Sequence, residues 1–355
     1  MPTPNPPHTT GFGLLGMTWR PVVTPDEQAF AAMKTAIANG ATIWSSSSIY
    51  GIAPEEPTAG LALLHRYFSK YPDDADKVTL FIRACCDGKT LAPLCDRDSV
   101  RASVEECNRV LGGVKKMDIF GPARIDPNVP VEETVGALKE LVEDGQIGAV
   151  GLSEVGEPSI RRAQAVCPIS VVEIEFSLWS TEMLINGVAA AYKELDIPIL
   201  TYAPLGYGFL TARSRNWKIF PRVIFAICLV VFSQRYQCLF HPLIVCKPQL
   251  LHTDHFSTKN FPKNLELVDK VNEFSKRRGI TPAQLALAWI RAHSNTAGCG
   301  VIISIPGATA ASRVEENSKL VPLSAEEKEQ LDSILRSFNI HGERQIPGME
   351  SILWT

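Results

Sequence analysis

Two hydrophobic patterns alternate along the chain. Short runs of apolar and β-branched residues predict buried strands, and segments whose apolar residues recur every three or four positions predict amphipathic helices. Eight strands are predicted, at residues 12–19, 41–44, 78–84, 117–123, 147–152, 171–176, 197–203 and 301–306. Helices are predicted at residues 26–39, 55–71, 159–166, 181–195 and 282–293, and also by the spacing of Val100, Val104, Cys107 and Leu111 and of Val131, Val135, Leu138 and Val142. Strand and helix therefore alternate over most of the chain.

This alternation favours one fold class. Eight strands that are each followed by a helix, with no separate run of strands, favour a (β/α)8 TIM barrel of the α/β class over an open doubly wound sheet. One barrel domain then covers residues 11–340, between a flexible N-terminus at 1–10 and a C-terminal tail at 341–355. In such a barrel, the chemistry takes place at the C-terminal ends of the strands.

One segment, residues 213–260, does not fit the barrel pattern. It lies between the seventh and eighth predicted strands and contains an unbroken apolar run at 223–232 together with three of the nine cysteines. A loop of this length without an amphipathic period is uncommon in a compact domain. Two interpretations stay open: a genuine insertion that packs against the barrel or a partner, or a retained intron that is translated in frame.

Composition excludes several classes of protein. With 45% hydrophobic and 21% charged residues, the 355-residue chain can bury a large core, which excludes a disordered protein. Lysine and arginine total 35 against 38 aspartate and glutamate residues, so no strong positive field attracts nucleic acid or an anionic membrane. The expected partner is a small molecule.

Cysteines, histidines and apolar runs bear on location and on metal binding. Nine unevenly spaced cysteines do not form a disulfide framework, and residues 1–10 lack the apolar core of a signal peptide, which together predict a cytoplasmic protein. The run at 223–232 has ten residues, whereas crossing a bilayer takes about twenty. Only His252 and His255 have a helical i, i+3 spacing, without a nearby third ligand, so no metal site is expected.

Residues 11–16, with the sequence GFGLLG, formally match the glycine-rich dinucleotide fingerprint. That fingerprint requires a preceding strand, a following helix and an acidic residue about twenty positions further on. Here the match follows a proline-rich N-terminus and precedes residues 17–21, MTWRP. A glycine-rich barrel strand is therefore the preferred interpretation.

Polar and glycine-rich motifs stand at the predicted C-terminal ends of the strands. In chain order they are SSSSIYG (45–51), FIR (81–83), DIFGPAR (118–124), GLSE (151–154), EIEFS (173–177), YAPLG (202–206) and IPG (305–307). Because these ends meet at one face of a barrel, the motifs are expected to form one site.

With this series the sequence resembles the aldo-keto reductases over everything except residues 1–10 and 213–260. Trp44 and the segments 121–127 and 175–179 are most similar to the fungal pyridoxal reductase group. The resemblance implies an NADPH-dependent enzyme that reduces an aldehyde or ketone to an alcohol, with pyridoxal as a candidate substrate.

The resemblance gives Tyr50 the role of general acid. Addition of hydride to a carbonyl carbon leaves an alkoxide, and a phenol can protonate it if the phenol's pKa of about 10 is lowered towards the working pH. A structural tyrosine on the barrel rim is the competing interpretation, and it is weighed below the catalytic one.

Three positions depart from the catalytic tetrad that the resemblance implies. Ser45, Arg83 and Ala123 stand where the family has aspartate, lysine and histidine. Arg83 places a permanent cation beside the phenol, but its high pKa excludes it as a proton relay, and Ala123 cannot donate a hydrogen bond to the substrate. Catalysis is therefore assigned to Tyr50 and Arg83. The rival hypothesis is a barrel that binds NADP with little or no catalysis, as a sensor or subunit.

The resemblance also implies the contacts with NADPH. Ser153 and Glu173 are expected to face the nicotinamide carboxamide, with Glu173 in place of the usual glutamine, and Tyr202 to stack on the ring. A glutamate, Glu154, takes a place often held by asparagine. Further implied contacts are Met17, Leu205, Gly206, Gly307, Thr309, Arg313, Glu316 and Asn317.

The preference for NADP over NAD rests on the segment after the last predicted strand. Arg313 and the free amides at the start of a helix would together bind a 2′-phosphate. The alternative is that Arg313 pairs with Glu316 on a solvated helix face, since residues three apart on a helix are neighbours.

Overall fold

Eight parallel strands form the centre of the structure. The structure is a computed structural model that describes residues 10–52, 55–88, 90–211, 255, 257, 259–342, 344 and 352–354. The strands are β1 (Phe12–Gly13), β2 (Ile43–Ser47), β3 (Thr79–Ala84), β4 (Ile119–Pro122), β5 (Val150–Ser153), β6 (Ile169–Glu175), β7 (Ile199–Tyr202) and β8 (Ile302–Ser304). Each strand pairs in parallel with the next along the chain.

The two ends of this sheet meet. The amides of Gly11 and Gly13 donate to the carbonyl oxygens of Ser304 and Pro306 at 2.7 and 3.3 Å, which joins β8 to β1. A side chain at position 13 would not fit, because its Cβ would lie 2.7 Å from the Ile305 oxygen. The sheet is thus a nearly closed barrel, and the predicted (β/α)8 fold class is confirmed.

Helices surround the barrel. They are α1 (Leu15–Thr18), α2 (Asp26–Ala38), α3 (Ala59–Lys70), α4 (Arg97–Leu111), α5 (Val131–Glu143), α6 (Glu157–Val166), α7 (Val188–Glu194), α8 (Phe261–Arg278), α9 (Pro282–Arg291), α10 (Ala311–Ser318) and α11 (Ala325–Arg336). Short 3₁₀ helices occupy Pro72–Lys77, Glu182–Leu184 and Gly206–Thr211. The helix predicted from the spacing of four apolar residues is confirmed as α4. Its buried residues are the same four, Val100, Val104, Cys107 and Leu111.

A layer of apolar side chains fills the barrel interior, and it comes from positions on or next to strands β2 to β8. These residues are Ile43, Phe81, Ile119, Ala149, Val171, Leu200, Ile303 and Ile305. A second, larger group of buried residues fills the space between the strands and the helices. Because side chains two positions apart on a strand share a face, the inner layer determines which later residues point into the barrel mouth.

The first predicted strand, 12–19, is wrong over most of its length, since β1 ends at Gly13 and α1 begins at Leu15. Leu14 and Met17 are buried whereas Leu15 is 37% exposed. That spacing of three suits a helical turn, but a short apolar run does not distinguish strand from helix by itself.

The predicted helix at 181–195 is wrong as a single element. It is divided into a 3₁₀ turn at Glu182–Leu184 and the helix α7. Gly187 separates them with a left-handed φ of 85°, a backbone conformation that costs glycine little and interrupts a right-handed helix.

Other boundaries differ from the predictions by a few residues; for example, β5 begins at Val150 and not at residue 147. Strand β2 extends through Ser47 instead of ending at Trp44, and the hydroxyls of Ser45 and Ser47 donate there to Glu173 and to the Arg83 carbonyl oxygen. Helix α3 begins at Ala59 rather than at residue 55. Helices α8 and α11 were not predicted.

Most of the atypical segment 213–260 lies outside the described residues, as do residues 1–9 and much of the tail at 341–355. Whether 213–260 is an insertion or a retained intron therefore stays a prediction. Among the helices of the described ranges, none is both long and apolar enough to cross a bilayer. Within the same ranges, no group of His, Cys, Asp and Glu is placed to hold a metal ion.

Candidate active site

Polar side chains converge at the C-terminal mouth of the barrel. Each of them stands two positions after a residue of the inner apolar layer, so the strand period of two points it into the same space. They are Ser45 on β2, Arg83 on β3, Glu173 on β6 and Tyr202 on β7. The predicted site residues Ser45, Arg83, Glu173 and Tyr202 are thus brought together by the strands that carry them.

Tyr50 lies in the loop after β2 and is 4% exposed. Two neighbours from α1 and its C-terminal end hold it there. The hydroxyl of Thr18 donates to the Tyr50 carbonyl oxygen at 2.6 Å, and the Trp19 ring lies 5.3 Å from the Tyr50 ring, centroid to centroid. The phenol is therefore fixed in position by contacts that the sequence pattern did not indicate.

A chain of polar contacts runs from Tyr50 across the barrel. Arg83 donates through Nη2 to the Tyr50 hydroxyl oxygen. Its Nη1 lies 2.9 Å from Glu173 Oε1, and Ser45 donates to Glu173 Oε2 at 2.6 Å. The carboxylate that pairs with Arg83 thus comes from Glu173 on β6. Ser45, which stands where the resemblance implies an aspartate, donates a hydrogen bond to that carboxylate.

Burial dominates the ionisation of these groups. It raises the pKa of Tyr50, and Arg83 opposes that rise. It also raises the pKa of Glu173, again opposed by Arg83. For Arg83, burial disfavours the charge, but Glu173, Tyr50 and Tyr202 together outweigh burial, so the pKa lies above its usual value. The phenol consequently keeps its proton at neutral pH while a cation faces its oxygen.

Two more arginines lie at the barrel mouth, and sequence reasoning assigned neither a role. Arg124 follows β4 and donates through Nη1 to Ser153 Oγ and through Nη2 to Tyr202 Oη, both at 3.4 Å. Arg344 comes from the C-terminal tail and is 6% exposed. Its distance in sequence from the strands left no signal by which it could have been found.

Arg344 is held between two carboxylates. It lies 2.5 Å from Glu154 Oε2 and 3.1 Å from Glu175 Oε2. Glu154 also accepts the Glu175 amide at 2.8 Å. Burial works to raise the pKa of Glu154, but Arg344, Arg124 and the hydrogen bond from the Glu175 amide together outweigh it and leave that pKa below its usual value. Burial, with Glu154 nearby, raises the pKa of Glu175 to about 7 in spite of Arg344.

This raised pKa predicts a pH dependence of stability. Because the native state holds the Glu175 proton more tightly than the unfolded chain does, its contribution is complete below the usual pKa of 4.5 and is lost as the pH rises through about 7. Between pH 5 and pH 8, the free energy of unfolding of Glu175→Gln should therefore rise relative to the native protein by up to about 3 kcal/mol. Urea unfolding at the two pH values measures this, and Glu157→Gln on the exposed side of α6 is the control. A constant difference would contradict the assignment.

The other predicted cofactor residues form a second group, near β1, β7 and β8. Gly13 bridges to Gly307, and the Gln28 side chain donates to the Thr309 carbonyl oxygen at 2.7 Å. Leu205 and Gly206 lie in the turn after β7, where the Gly206 amide donates to Ala203. Met17 and Asn317 are buried. These residues therefore lie near the closure of the barrel and in the turn after β7, the strand that also carries Tyr202.

Arg313 lies on the first turn of α10 and pairs with Glu316, which is the contact that the alternative interpretation of Arg313 predicts. Its Nη1 is 2.9 Å from Glu316 Oε2, and its side chain is 46% exposed. Ala310 precedes the helix, and no side chain in the described part of the chain caps it by a hydrogen bond. The first turn carries no acidic residue, so this helix start suits an anion.

The comparison with protein families agrees with this arrangement. A model of the aldo/keto reductase family matches residues 9–336. The chain belongs to the aldo/keto reductase family. The series of motifs at the strand ends thus predicted the family correctly, and the barrel mouth with Tyr50 is the candidate active site of this aldo/keto reductase.

Individual relatives extend this result. The "Probable pyridoxal reductase 2" of Schizosaccharomyces pombe is 39% identical over 345 residues, which cover 97% of this chain and 96% of that protein. The "Putative pyridoxal reductase" of Saccharomyces cerevisiae is 30% identical over 358 residues, and the match covers 94% of this chain and 95% of that protein. The glycerol dehydrogenase of Gluconobacter oxydans shares the fold, with a TM-score of 0.71 at 18% identity over 94% of this chain and 92% of that one. The family and these relatives support an oxidoreductase that acts on small carbonyl compounds.

Proposed function

We propose that this aldo/keto reductase uses NADPH to reduce aldehydes, with pyridoxal among its substrates. The observation that carries the proposal is the buried hydroxyl of Tyr50, whose oxygen accepts a hydrogen bond from Arg83. Its support comes from the family match and from the two pyridoxal reductases among the relatives.

The chain's own residues account for the proton transfer. The dinucleotide supplies a hydride when it is bound. Tyr50 is the general acid, since burial keeps its phenol protonated and its oxygen accepts from Arg83 rather than using its own proton in that contact. Arg83 then stabilises the phenolate that is left after the proton moves to the carbonyl oxygen. Glu173 acts as a positioning residue, because it holds the guanidinium on the side facing the phenol.

The same contacts weaken the hypothesis of a barrel that binds NADP without catalysis. That hypothesis rested on the substitutions at Ser45, Arg83 and Ala123. Glu173 restores a carboxylate beside the cation and so offsets the missing aspartate at Ser45. The other two departures concern a proton relay at Arg83 and a donor to the substrate oxygen at Ala123, and neither removes the general acid Tyr50.

Several features of the site fit an NADPH molecule. Glu173 Oε1, although ion-paired, accepts no aligned hydrogen bond from the described residues and can accept one from a carboxamide N–H. Ser153 and Tyr202 would contact the nicotinamide beside it. The start of α10 would hold the 2′-phosphate, and the remaining contacts are proposed for Met17, Leu205, Gly206, Gly307, Thr309, Arg313, Glu316 and Asn317.

The direct test is NADPH oxidation by the purified protein with pyridoxal and with a panel of aromatic and aliphatic aldehydes. Turnover that depends on pyridoxal and yields pyridoxine supports the proposal. Tight NADPH binding without turnover on any aldehyde would favour the non-catalytic alternative.

We further propose a cytoplasmic location, which accords with free thiols at all six cysteines of the described ranges.

The proposed preference for NADPH depends on Arg313. Arg313→Ala should raise the Kd of NADPH about tenfold and leave that of NADH nearly unchanged, since a charge-assisted contact with phosphate is lost. Fluorescence titration with both cofactors measures this. Arg109→Ala is the matched control, because Arg109 forms an exposed i, i+3 pair with Glu106 on α4. Equal weakening of both cofactors by Arg313→Ala would contradict the assignment.

A further inference from the structure

Three guanidinium groups of the described residues lie at the barrel mouth, and their partners differ. Arg83 is paired with Glu173, and Arg344 is paired with Glu154 and Glu175. Arg124 forms no ion pair with any carboxylate of the described residues. Arg124 therefore differs from Arg83 and Arg344, because no carboxylate of the described residues lies in direct contact with its guanidinium.

Two of the three hydrogen bonds of Arg124 are long. Its Nη1 donates to the neighbouring Ala123 carbonyl oxygen at 2.6 Å, while its contacts with Ser153 and Tyr202 are both 3.4 Å long. A length of 3.4 Å lies beyond the usual range for N–H···O bonds. A guanidinium has five N–H donors in a planar fork, so Arg124 retains donors for a ligand that offers paired oxygens.

The position of Arg124 connects it with the proton donor. Arg83 on β3 pairs with Gly121 on the neighbouring strand β4. Arg124 follows Gly121 by three residues, just after β4 ends at Pro122. Its positive charge reaches Tyr50 strongly enough to oppose the rise of the phenol's pKa. An oxygen that accepts the Tyr50 proton would therefore lie in the field of Arg124. The residue before it, Ala123, offers no donor of its own.

We propose that Arg124 binds the carbonyl oxygen together with an oxyanion on the adjacent ring carbon, and so selects aromatic aldehydes with an ionised ortho hydroxyl. This inference rests on the proposed function and names the recognition element of the same site. Two oxygens on neighbouring substituents present a pair to the guanidinium as a carboxylate does. Pyridoxal has this arrangement, because its ring hydroxyl stands next to the aldehyde and is ionised at neutral pH.

Arg124 also has a chemical effect on such a substrate. An ortho oxyanion donates electrons into the ring and makes the aldehyde carbon less electrophilic, and a guanidinium bonded to both oxygens withdraws that density. When hydride from the dihydronicotinamide cofactor adds to the carbon, the C=O π pair moves to the oxygen, which takes the Tyr50 proton. The products are an alcohol and the oxidised cofactor, and Tyr50 regains a proton from water.

The experiment compares 2-hydroxybenzaldehyde with its 4-hydroxy isomer and with benzaldehyde, at a pH where both phenols are ionised. The isomers carry the same charge, so only adjacency of the oxyanion differs. The native protein should favour the 2-hydroxy isomer over the 4-hydroxy isomer in kcat/KM by about tenfold or more. Arg124→Met should abolish this preference, because its kcat/KM for the 2-hydroxy isomer falls at least about tenfold further than its kcat/KM for the 4-hydroxy isomer or for benzaldehyde.

Two further variants separate recognition from general damage. Arg124→Lys keeps the charge but loses the fork, and should retain only a minor part of the preference. Arg97→Met, on the exposed side of α4, should retain all of it. Equal losses of Arg124→Met on all three aldehydes would overturn the inference.

A binding measurement keeps the inference separate from the proposed function. Titration of the protein with each phenolate, followed by the phenolate's own absorbance, gives a Kd without turnover. A Kd about tenfold lower for the 2-hydroxy isomer, lost in Arg124→Met, supports the inference even if no aldehyde is reduced and the proposed function fails. Equal Kd values for the two isomers would overturn it even if pyridoxal is reduced.

Discussion

Tyr50→Phe should lower kcat for aldehyde reduction by about 10² to 10⁴, the usual contribution of a positioned general acid. The substitution removes only the hydroxyl that faces Arg83, and the ring can keep its packing against Trp19. Steady-state rates of NADPH oxidation with the best aldehyde of the panel measure the effect. The loss should appear in kcat more than in KM, because the proton is transferred only in the reacting complex.

Cofactor binding separates this effect from a general disturbance of the site. The Kd of NADPH should change by less than about twofold in Tyr50→Phe. Tyr71→Phe is the matched control, since Tyr71 packs beside α3 outside the barrel mouth, and its kcat should equal that of the native protein. If Tyr50→Phe keeps more than a tenth of the native kcat, the proton comes from water and the role given to Tyr50 is wrong.

Glu173→Met should reduce the free energy of unfolding by about 3 to 5 kcal/mol, as expected when one partner of a buried ion pair is removed. Glu173 is fully buried and Arg83 is 9% exposed, so the guanidinium would be left with its charge in a poorly solvated interior. Ser45 would also lose its acceptor. Urea unfolding followed by circular dichroism measures the change.

A double-mutant cycle isolates the pair. Arg83→Met alone should be destabilising for the same reason, while Arg83→Met with Glu173→Met should cost less than the two single changes added together. Glu132→Met removes one partner of the exposed Arg162–Glu132 pair and should have little effect, which makes it the control. Additive single and double changes would show that Arg83 and Glu173 are not coupled.

The sequence alone predicted the fold, and it predicted that the candidate site residues meet at the mouth of the barrel. Most barrel strands contain a short apolar run, and the strand period of two places Arg83, Glu173 and Tyr202 on the same interior face as the apolar residues before them. These are local patterns, repeated along the chain, and they do not depend on which distant residues meet. Tyr50 could be singled out because its motif follows one such strand.

The tertiary structure decided which charges are partners. Glu173 was expected to serve the cofactor, but it also faces Arg83 from the opposite side of the barrel, and Arg344 reaches Glu154 from 190 positions away. Arg124 is distinguished by having no such partner among the described residues. The period of a strand determines the face on which a side chain lies, whereas barrel closure and the path of the tail determine what lies opposite it. Ion pairing and burial, which decide the pKa values here, depend on that second kind of information.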